Sequence, residues 1–364
     1  MNRLRLVRPS DPAWAALLNE IEHHDFYHLP SYHEMAEVRG EGQAFLCVYA
    51  EGDHIVALPL LLRRIAEVPG LEASSSLDAT SVYGYPGPIV SKPLPPSIAR
   101  NFQQALEHAL KERDVVAVFS RLHPLLPQSD CLAGLGLLDE LGPTVSIDLS
   151  PSPEEQWARY RRNHKHGINK LRRQGVECVA DPAFEHLDDF IRLYRRNMRR
   201  VDAPAFYFFD DRYFDLLRQA LGPRMHLYVC RHERQVICGG LFVNTRGIVQ
   251  YHLGGTDDDY LNWAPMKLLF DAVRRDFRAQ GARRVHLGGG LGAQRDSLFH
   301  FKSGFGRDEH TFSVWKWVVQ EEAYDTLCAR RFSLARPAQT GFFPLYRMGG
   351  GLAGPTPVPA GACL

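Results

Sequence analysis

The sequence has no C-x-x-C pair, no H-E-x-x-H, no bilayer-length apolar run and no surplus of charge of either sign. Each absence removes a class of function. Lys+Arg number 43 against 42 Asp+Glu, so a globally basic nucleic-acid binder is not indicated and any such contact must come from a local patch. The seven cysteines (Cys47, Cys131, Cys178, Cys230, Cys238, Cys328 and Cys363) are scattered and odd in number. That usage predicts reduced, mostly buried thiols rather than a disulfide framework. Without an apolar run of sufficient length, no membrane-spanning helix is expected. The opening MNRLRLVRPSDP lacks an apolar h-region, so no secretory signal and a cytoplasmic location are expected. His23, His24, Asp25, His28 and His33 crowd together, but Pro30 interrupts them. Satisfied or surface histidines are expected there, not a metal site, and no cofactor is expected.

What is present is a chain written twice. The 364 residues are 45% hydrophobic, enough for more than one core. Ala44–Tyr49, a short polar turn and Ile55–Leu62 read as a β-hairpin, and so do Leu227–Cys230 and Val236–Val243. A third strand is expected near Tyr83 in one half and at Val249–His252 in the other. Each precedes a long helix, Pro95–Glu112 and Pro265–Gln280. In the second, Met266, Leu269, Phe270, Val273 and Phe277 form an apolar stripe. Further strands follow at Val115–Phe119 and Arg284–Leu287. Helices precede the hairpins at Pro12–Glu22, Ser31–Val38, Glu185–Arg200 and Asp211–Leu221. Thr144–Leu149 is expected to close the first half and Thr311–Val319 the second. The domains are placed at 1–150 and 151–320, with 321–364 a C-terminal extension whose end, from Gly349 onward, reads as a disordered tail. A mixed sheet flanked by helices suits this order in each half.

Between the halves, Ser152-Pro153-Glu154-Glu155 is a capping box opening a basic helix over 153–174, which Gly175 ends. Trp157, Tyr160, His164, Ile168 and Leu171 share one face, and Arg161, Arg162, Lys165, Lys170 and Arg173 lie among the cations on the rest. Two readings stand: contacts to RNA phosphates, or a solvated cationic face whose late arginines answer the helix dipole. Arg199 and Arg200 close the Glu185–Arg200 helix, where they serve either an anionic acceptor or the dipole. Tyr251 and Tyr83 either line a cleft or fill a core.

The stretch GGGLGAQRDSLFHFKSGFG, residues 288–306, begins with a loose G-x-G-x-x-A pattern. A dinucleotide fingerprint follows the first strand of a βαβ unit and opens a helix; these glycines follow the last, so they better suit a chain that leaves a strand end closely packed. Phe301-Lys302-Ser303-Gly304-Phe305-Gly306 sets one cation among aromatics. Lys302 is either a fixed, desolvated charge that acts on a nearby oxyanion or an exposed lysine with packed neighbours.

The chain up to about residue 320 resembles the FemAB/FemX family. The residues that carry this are the basic helix Trp157–Gly175 with its run from Arg161 through Gly175-Val176, Tyr251-His252-Leu253-Gly254-Gly255, Ala264-Pro265-Met266-x-Leu268-Leu269, Leu287-Gly288-Gly289 with Phe301-Lys302-x-Gly304-Phe305-Gly306, and Tyr83-Gly84-Tyr85-Pro86-Gly87-Pro88. The resemblance implies an α/β (α+β) chain of two tandem GNAT-like domains, mixed sheets flanked by helices. It implies transfer of an aminoacyl group from aminoacyl-tRNA to an amine acceptor, a cell-wall precursor or a small-molecule amine. Lys302 would then be the electrophilic cation, Phe301 would shape the site, and the basic helix would hold tRNA. Arg39 stands where family members use a lysine for a nucleotide-sugar acceptor. No carboxylate follows the Pro86-Gly87-Pro88 turn, and no heptad insertion is present. The alternative on the same scaffold is an acyl-CoA-dependent N-acyltransferase. Against it, Asp257-Asp258-Asp259 occupy the place where such enzymes carry a glycine-rich pyrophosphate loop.

Overall fold

The structure, a computed structural model, describes residues 4–126, 129–332 and 341–349. The expected disordered tail beyond Gly349 lies outside the described residues, as does Cys363. Contacts divide the described residues into two compact units, one of residues up to 141 together with those from 312 onward, the other Gly142–Thr311.

The first unit begins with β1 (Arg5–Val7), α1 (Pro12–Glu20) and α2 (Pro30–Val38). Asp11 caps α1 through the Ala13 amide, with Pro12 at the first helical position. The hairpin β2 (Gln43–Glu51) and β3 (His54–Arg64) follows, then β4 (Leu77–Thr80), β5 (Ile89–Val90), α3 (Pro96–Lys111) and β6 (Val115–Arg121). The third strand is therefore Leu77–Thr80. Tyr83 lies beyond it in a loop, because the glycines and prolines of 84–88 cannot sustain a ladder. β4 and β6 pair in parallel across α3, and the other ladders of this unit are antiparallel.

β7 (Leu137–Asp148) leads into the second unit, where α4 (Pro153–Arg159), α5 (Arg162–Arg173), β8 (Glu177–Ala180), α6 (Leu187–Arg200) and α7 (Asp211–Leu221) follow. Next come β9 (Met225–His232), β10 (Gln235–Thr245), β11 (Ile248–Thr256), α8 (Met266–Ala279), β12 (Arg284–Gly289) and α9 (Ser297–Lys302). The chain ends in β13 (Asp308–Val318) and α10 (Glu321–Arg331). β11 and β12 pair in parallel across α8, repeating the β4–α3–β6 arrangement, and β8, β9, β10 and β11 form antiparallel ladders. The doubled element order is thus real, and each unit carries a mixed sheet.

Two expectations need correction. Thr144–Asp148 does not close the first half: it pairs with β12 in the second unit. Val314–Val318 does not close the second: it pairs with β6 in the first, where Trp315 and Trp317 join the core of Leu58, Leu60, Phe102 and Val118. The closing strands are exchanged. The basic helix is also not continuous over 153–174. It breaks at Tyr160 and Arg161, whose ψ angles of 143° and 146° are extended. The second core gathers Tyr160, Ile168 and Leu171 with Met266, Leu269, Phe270, Val273 and Phe277 of α8, and with Tyr251, Leu287 and Phe305. The expected stripes on both helices are therefore the buried faces. No helix among the described residues is long and apolar enough to cross a membrane.

Candidate active site

The site is built where β12 ends. Gly288 takes a φ of +73°, and the chain leaves the strand through Gly289-Gly290 into a loop and then the short helix α9. Asp296 ties the two together: one carboxylate oxygen accepts from the Phe299 amide at 2.8 Å, the other from the Leu291 amide at 2.9 Å. A Cβ at Gly290 would sit 2.2 Å from that carboxylate, so glycine is needed for this approach. These glycines serve a loop that closes on itself.

Lys302 ends α9 and is fully buried. Its ammonium donates to the Gly289 carbonyl at 2.7 Å and lies 5.9 Å from the centre of the Tyr251 ring. A buried ammonium persists only where hydrogen bonds and π faces replace water. Lys302 is therefore buried and not exposed. Phe301 is half-buried among His164, Phe270 and Phe305, with ring centroids 5.3, 6.3 and 5.5 Å away. Tyr251 is buried in the second core, against Phe242 and Phe270.

The start of α5 is clamped to the end of α9. The Arg161 amide donates to the Gly304 carbonyl at 2.9 Å, and its guanidinium donates to the His300 carbonyl and to Ser303 Oγ, the latter at 2.9 Å. His164 Nε2 donates to the Phe301 carbonyl at 2.9 Å. These are carbonyls a helix C-terminus leaves open, and a cation is favourable there. Burial, ahead of every other influence, pushes His164 down to about 4, so the imidazole is neutral. A Cβ at Gly304 would lie 2.3 Å from His164 Nε2, which explains the glycine of the Phe301–Gly306 motif.

This geometry revises the cationic set. Arg161 holds the lysine loop. Lys165 donates to the Ala158 carbonyl at 2.9 Å, closing the end of α4. Arg162, Lys170 and Arg173 are exposed. On α6, Arg200 is paired to Asp258 at 3.3 Å and donates to Asn197, and Arg196 lies 3.6 Å from Asp257. The acidic triplet is thus answered in part by α6. Arg199 is exposed beside a groove of about 470 Å³ that Arg192, Arg195, Arg196, Ile191 and Asp211 also line.

The remaining expected residues sit in the first unit. Arg39 follows α2 and is ion-paired to Glu41 at 2.8 Å. Tyr83 is buried, and its carbonyl accepts from the Tyr32 hydroxyl at 3.0 Å. Of the histidines nearby, His24 contacts the Ile21 carbonyl at 2.8 Å, His33 contacts the Tyr27 carbonyl at 2.9 Å through Nε2 while its Nδ1 is buried without a hydrogen-bond partner, and His123 is paired to Asp25 at 3.0 Å. Sequence reasoning missed three residues of the second unit. Asp296, a capping aspartate before Ser297, was legible as such. His164 and Lys267 were not. Burial pushes the Lys267 ammonium down, and its stem passes 3.1 Å from where a Gly167 Cβ would be.

Comparison with known proteins agrees with this architecture. Residues 158–303 match the model of the acetyltransferase (GNAT) domain. The crystal structure of FemX superposes with a TM-score of 0.65 at 12% identity, covering 88% of this chain and 99% of that one. The chain has a FemX-like tandem GNAT fold. L-PGS from Bacillus licheniformis shares it with a TM-score of 0.53 at 14% identity, covering 85% of this chain and 92% of that one. So does the C-terminal domain of a putative lysylphosphatidylglycerol synthetase from Agrobacterium fabrum, with a TM-score of 0.52 at 13% identity and coverages of 84% and 90%. Among curated proteins, no sequence matches this chain. Within the FemX-like fold, the matched GNAT segment contains Arg161, His164, Tyr251 and Lys302, so the second unit holds an acyltransferase-type domain.

Proposed function

We propose that the protein moves an aminoacyl group from aminoacyl-tRNA to an amine acceptor. The observation that carries this is the connection between β11 and α8. In an acyl-CoA enzyme of this scaffold, that connection offers glycine-rich backbone amides to a pyrophosphate. Here Asp257–Asp259 fill it, and the Asp257 carboxylate accepts from the Asp259 amide at 3.2 Å. A pyrophosphate would meet carboxylates. Exposed cations lie on α5, at Arg162, Lys170 and Arg173, suited to an RNA backbone. FemX has the same fold, and so do L-PGS and a domain named as part of a putative lysylphosphatidylglycerol synthetase.

The chemistry is ester aminolysis. The amine nitrogen attacks the ester carbonyl, a tetrahedral oxyanion forms, and the ribose oxygen leaves with a proton. The ester is already activated, so positioning and oxyanion stabilisation suffice. Lys302 supplies the positive charge from a site without water, where its field is strong. Phe301 shapes the adjoining surface, and Tyr251 backs the ammonium. Arg161 and His164 are positioning residues that hold the Phe301–Gly304 carbonyls. Arg199 receives an anionic group of the acceptor beside its groove.

A second reading follows from the acetyltransferase family match: acyl transfer from CoA to an amine. A transfer assay separates the two. A mixed pool of labelled aminoacyl-tRNA, offered with a panel of amines, is expected to yield labelled amide. Amide formed from acetyl-CoA and not from aminoacyl-tRNA would overturn the first reading.

A further inference from the structure

Three cysteines of the second unit occupy one rung across three neighbouring strands. Cys178 on β8 is the register partner of Cys230 on β9, and Cys230 is the partner of Cys238 on β10. Directly opposed residues of antiparallel strands put their side chains on the same face. All three thiols therefore meet on one side, beside the core that α8 fills. The Cys230 thiol touches both neighbours and also lies 3.7 Å from the Pro265 carbonyl just before α8. All three are free thiols, and the acyl-transfer chemistry uses none of them.

Opposed Cα atoms in an antiparallel ladder are about 4.5 to 5.5 Å apart. A disulfide bridges Cα separations of about 4.4 to 6.8 Å. The backbone thus already holds bridging geometry. Access differs along the rung. Cys230 and Cys238 are buried, whereas Cys178 is half-buried on β8, which pairs only with β9 among the described strands.

We propose that Cys178 and Cys230 form a reversible dithiol–disulfide pair, a modification site whose oxidant is a small peroxide. Cys178 reacts first, because it alone of the three meets solvent. Its thiolate attacks one peroxide oxygen, the O–O bond breaks, and the departing hydroxide takes a proton to leave as water. The sulfenic acid formed lies against Cys230. The Cys230 sulfur then attacks the sulfenic sulfur, the S–O bond breaks, and the hydroxide leaves as a second water with the Cys230 proton. Two thiols are oxidised to one disulfide, and the peroxide is reduced to two waters. A dithiol reductant reverses the bond and is itself oxidised. Burial pushes the Cys230 thiol up, so it stays inert until a sulfenic acid appears beside it. The product ties the edge strand β8 to β9.

The test treats the folded protein with a small excess of hydrogen peroxide, blocks remaining thiols by alkylation, and maps peptides without reduction. Circular dichroism before and after shows that the fold is kept. The expected result is a Cys178 peptide linked to a Cys230 peptide, with the loss of two hydrogens per chain, cleaved by dithiothreitol. Cys238→Ser keeps the link. In Cys230→Ser, Cys178 stops as the sulfenic acid, trapped by dimedone. Cys178 driven to the sulfinic acid in the wild type with no link would overturn the proposal, and so would a Cys230–Cys238 link in its place.

Discussion

Lys302 is fully buried, and the protein holds its side-chain nitrogen with the Gly289 carbonyl and the Tyr251 ring. Lys302→Ala is expected to lower the transfer rate by about a hundredfold to a thousandfold, the scale seen when one oxyanion-stabilising group is lost. Aminoacyl-tRNA affinity is expected to stay within about twofold of wild type, read by filter binding. Full single-turnover activity in that variant would remove its assigned role. Gly304→Ala places a methyl on the His164 ring and is expected to destabilise the protein by about 1–3 kcal/mol, measured by urea unfolding. The histidines set a pH dependence. Burial lowers His33 to about 4, and it is wholly buried. Its folded value lies below the unfolded one, so the unfolded chain binds the extra proton between about pH 6.5 and 4. Stability is complete above that window and is lost as pH falls through it, by on the order of 3 kcal/mol for this residue. His164 adds to the loss in the same direction, and His252, lowered to about 3, extends it further down. Urea unfolding at pH 7 and pH 4.5 is the check; equal stabilities would contradict it. At this scale the sequence showed the motif but not its depth. Nothing in Phe301-Lys302-Ser303-Gly304 tells a reader that the ammonium turns back to Gly289, because that contact depends on a loop geometry that Asp296 enforces.

The helices carry the next set of expectations. The buried stripe Trp157, Tyr160, His164, Ile168 and Leu171 keeps a helical phase across Tyr160 and Arg161, so the pattern conceals the break between α4 and α5. The break is set by tertiary contact: the Arg161 amide leaves the helix to reach Gly304. The capping box at Ser152 and Glu155, a local signal, formed as read, with both hydrogen bonds present at 3.2 and 2.8 Å. The break divides the cations into two roles. Reversing Arg162, Lys170 and Arg173 to glutamate is expected to weaken aminoacyl-tRNA binding and to reduce the slope of log affinity against log salt by up to about 3, near one for each phosphate no longer neutralised. Thermal stability is expected to change little, since these side chains are exposed. Arg161→Ala is expected to do the reverse, lowering stability and transfer while leaving most of the salt slope. Equal effects from the two sets would undo this division.

Across the whole chain, the doubled order of elements was legible because hydrophobic periodicity and turn residues are local. Strand partners were not, because they are set by contacts between distant segments: Trp315 pairs with Ser120, and Ile147 with Val285. Cutting the chain after residue 150 therefore does not isolate a half. A 1–150 fragment lacks Trp315 and Trp317, leaves Val115–Arg121 as an open edge, and retains a closing strand whose own partner is absent. It is expected to bind hydrophobic dye and to lack a cooperative unfolding transition, and a sharp transition would contradict the exchange. Fold alone does not choose the donor. The proposal of aminoacyl-tRNA rests on the β11–α8 connection and the α5 surface. The most direct test titrates the full chain in parallel with mixed aminoacyl-tRNA and with acetyl-CoA, each at low and at moderate salt. Saturable, salt-sensitive RNA binding and no saturable CoA binding are expected. Saturable CoA binding with no RNA binding at either salt concentration would contradict the aminoacyl-tRNA reading.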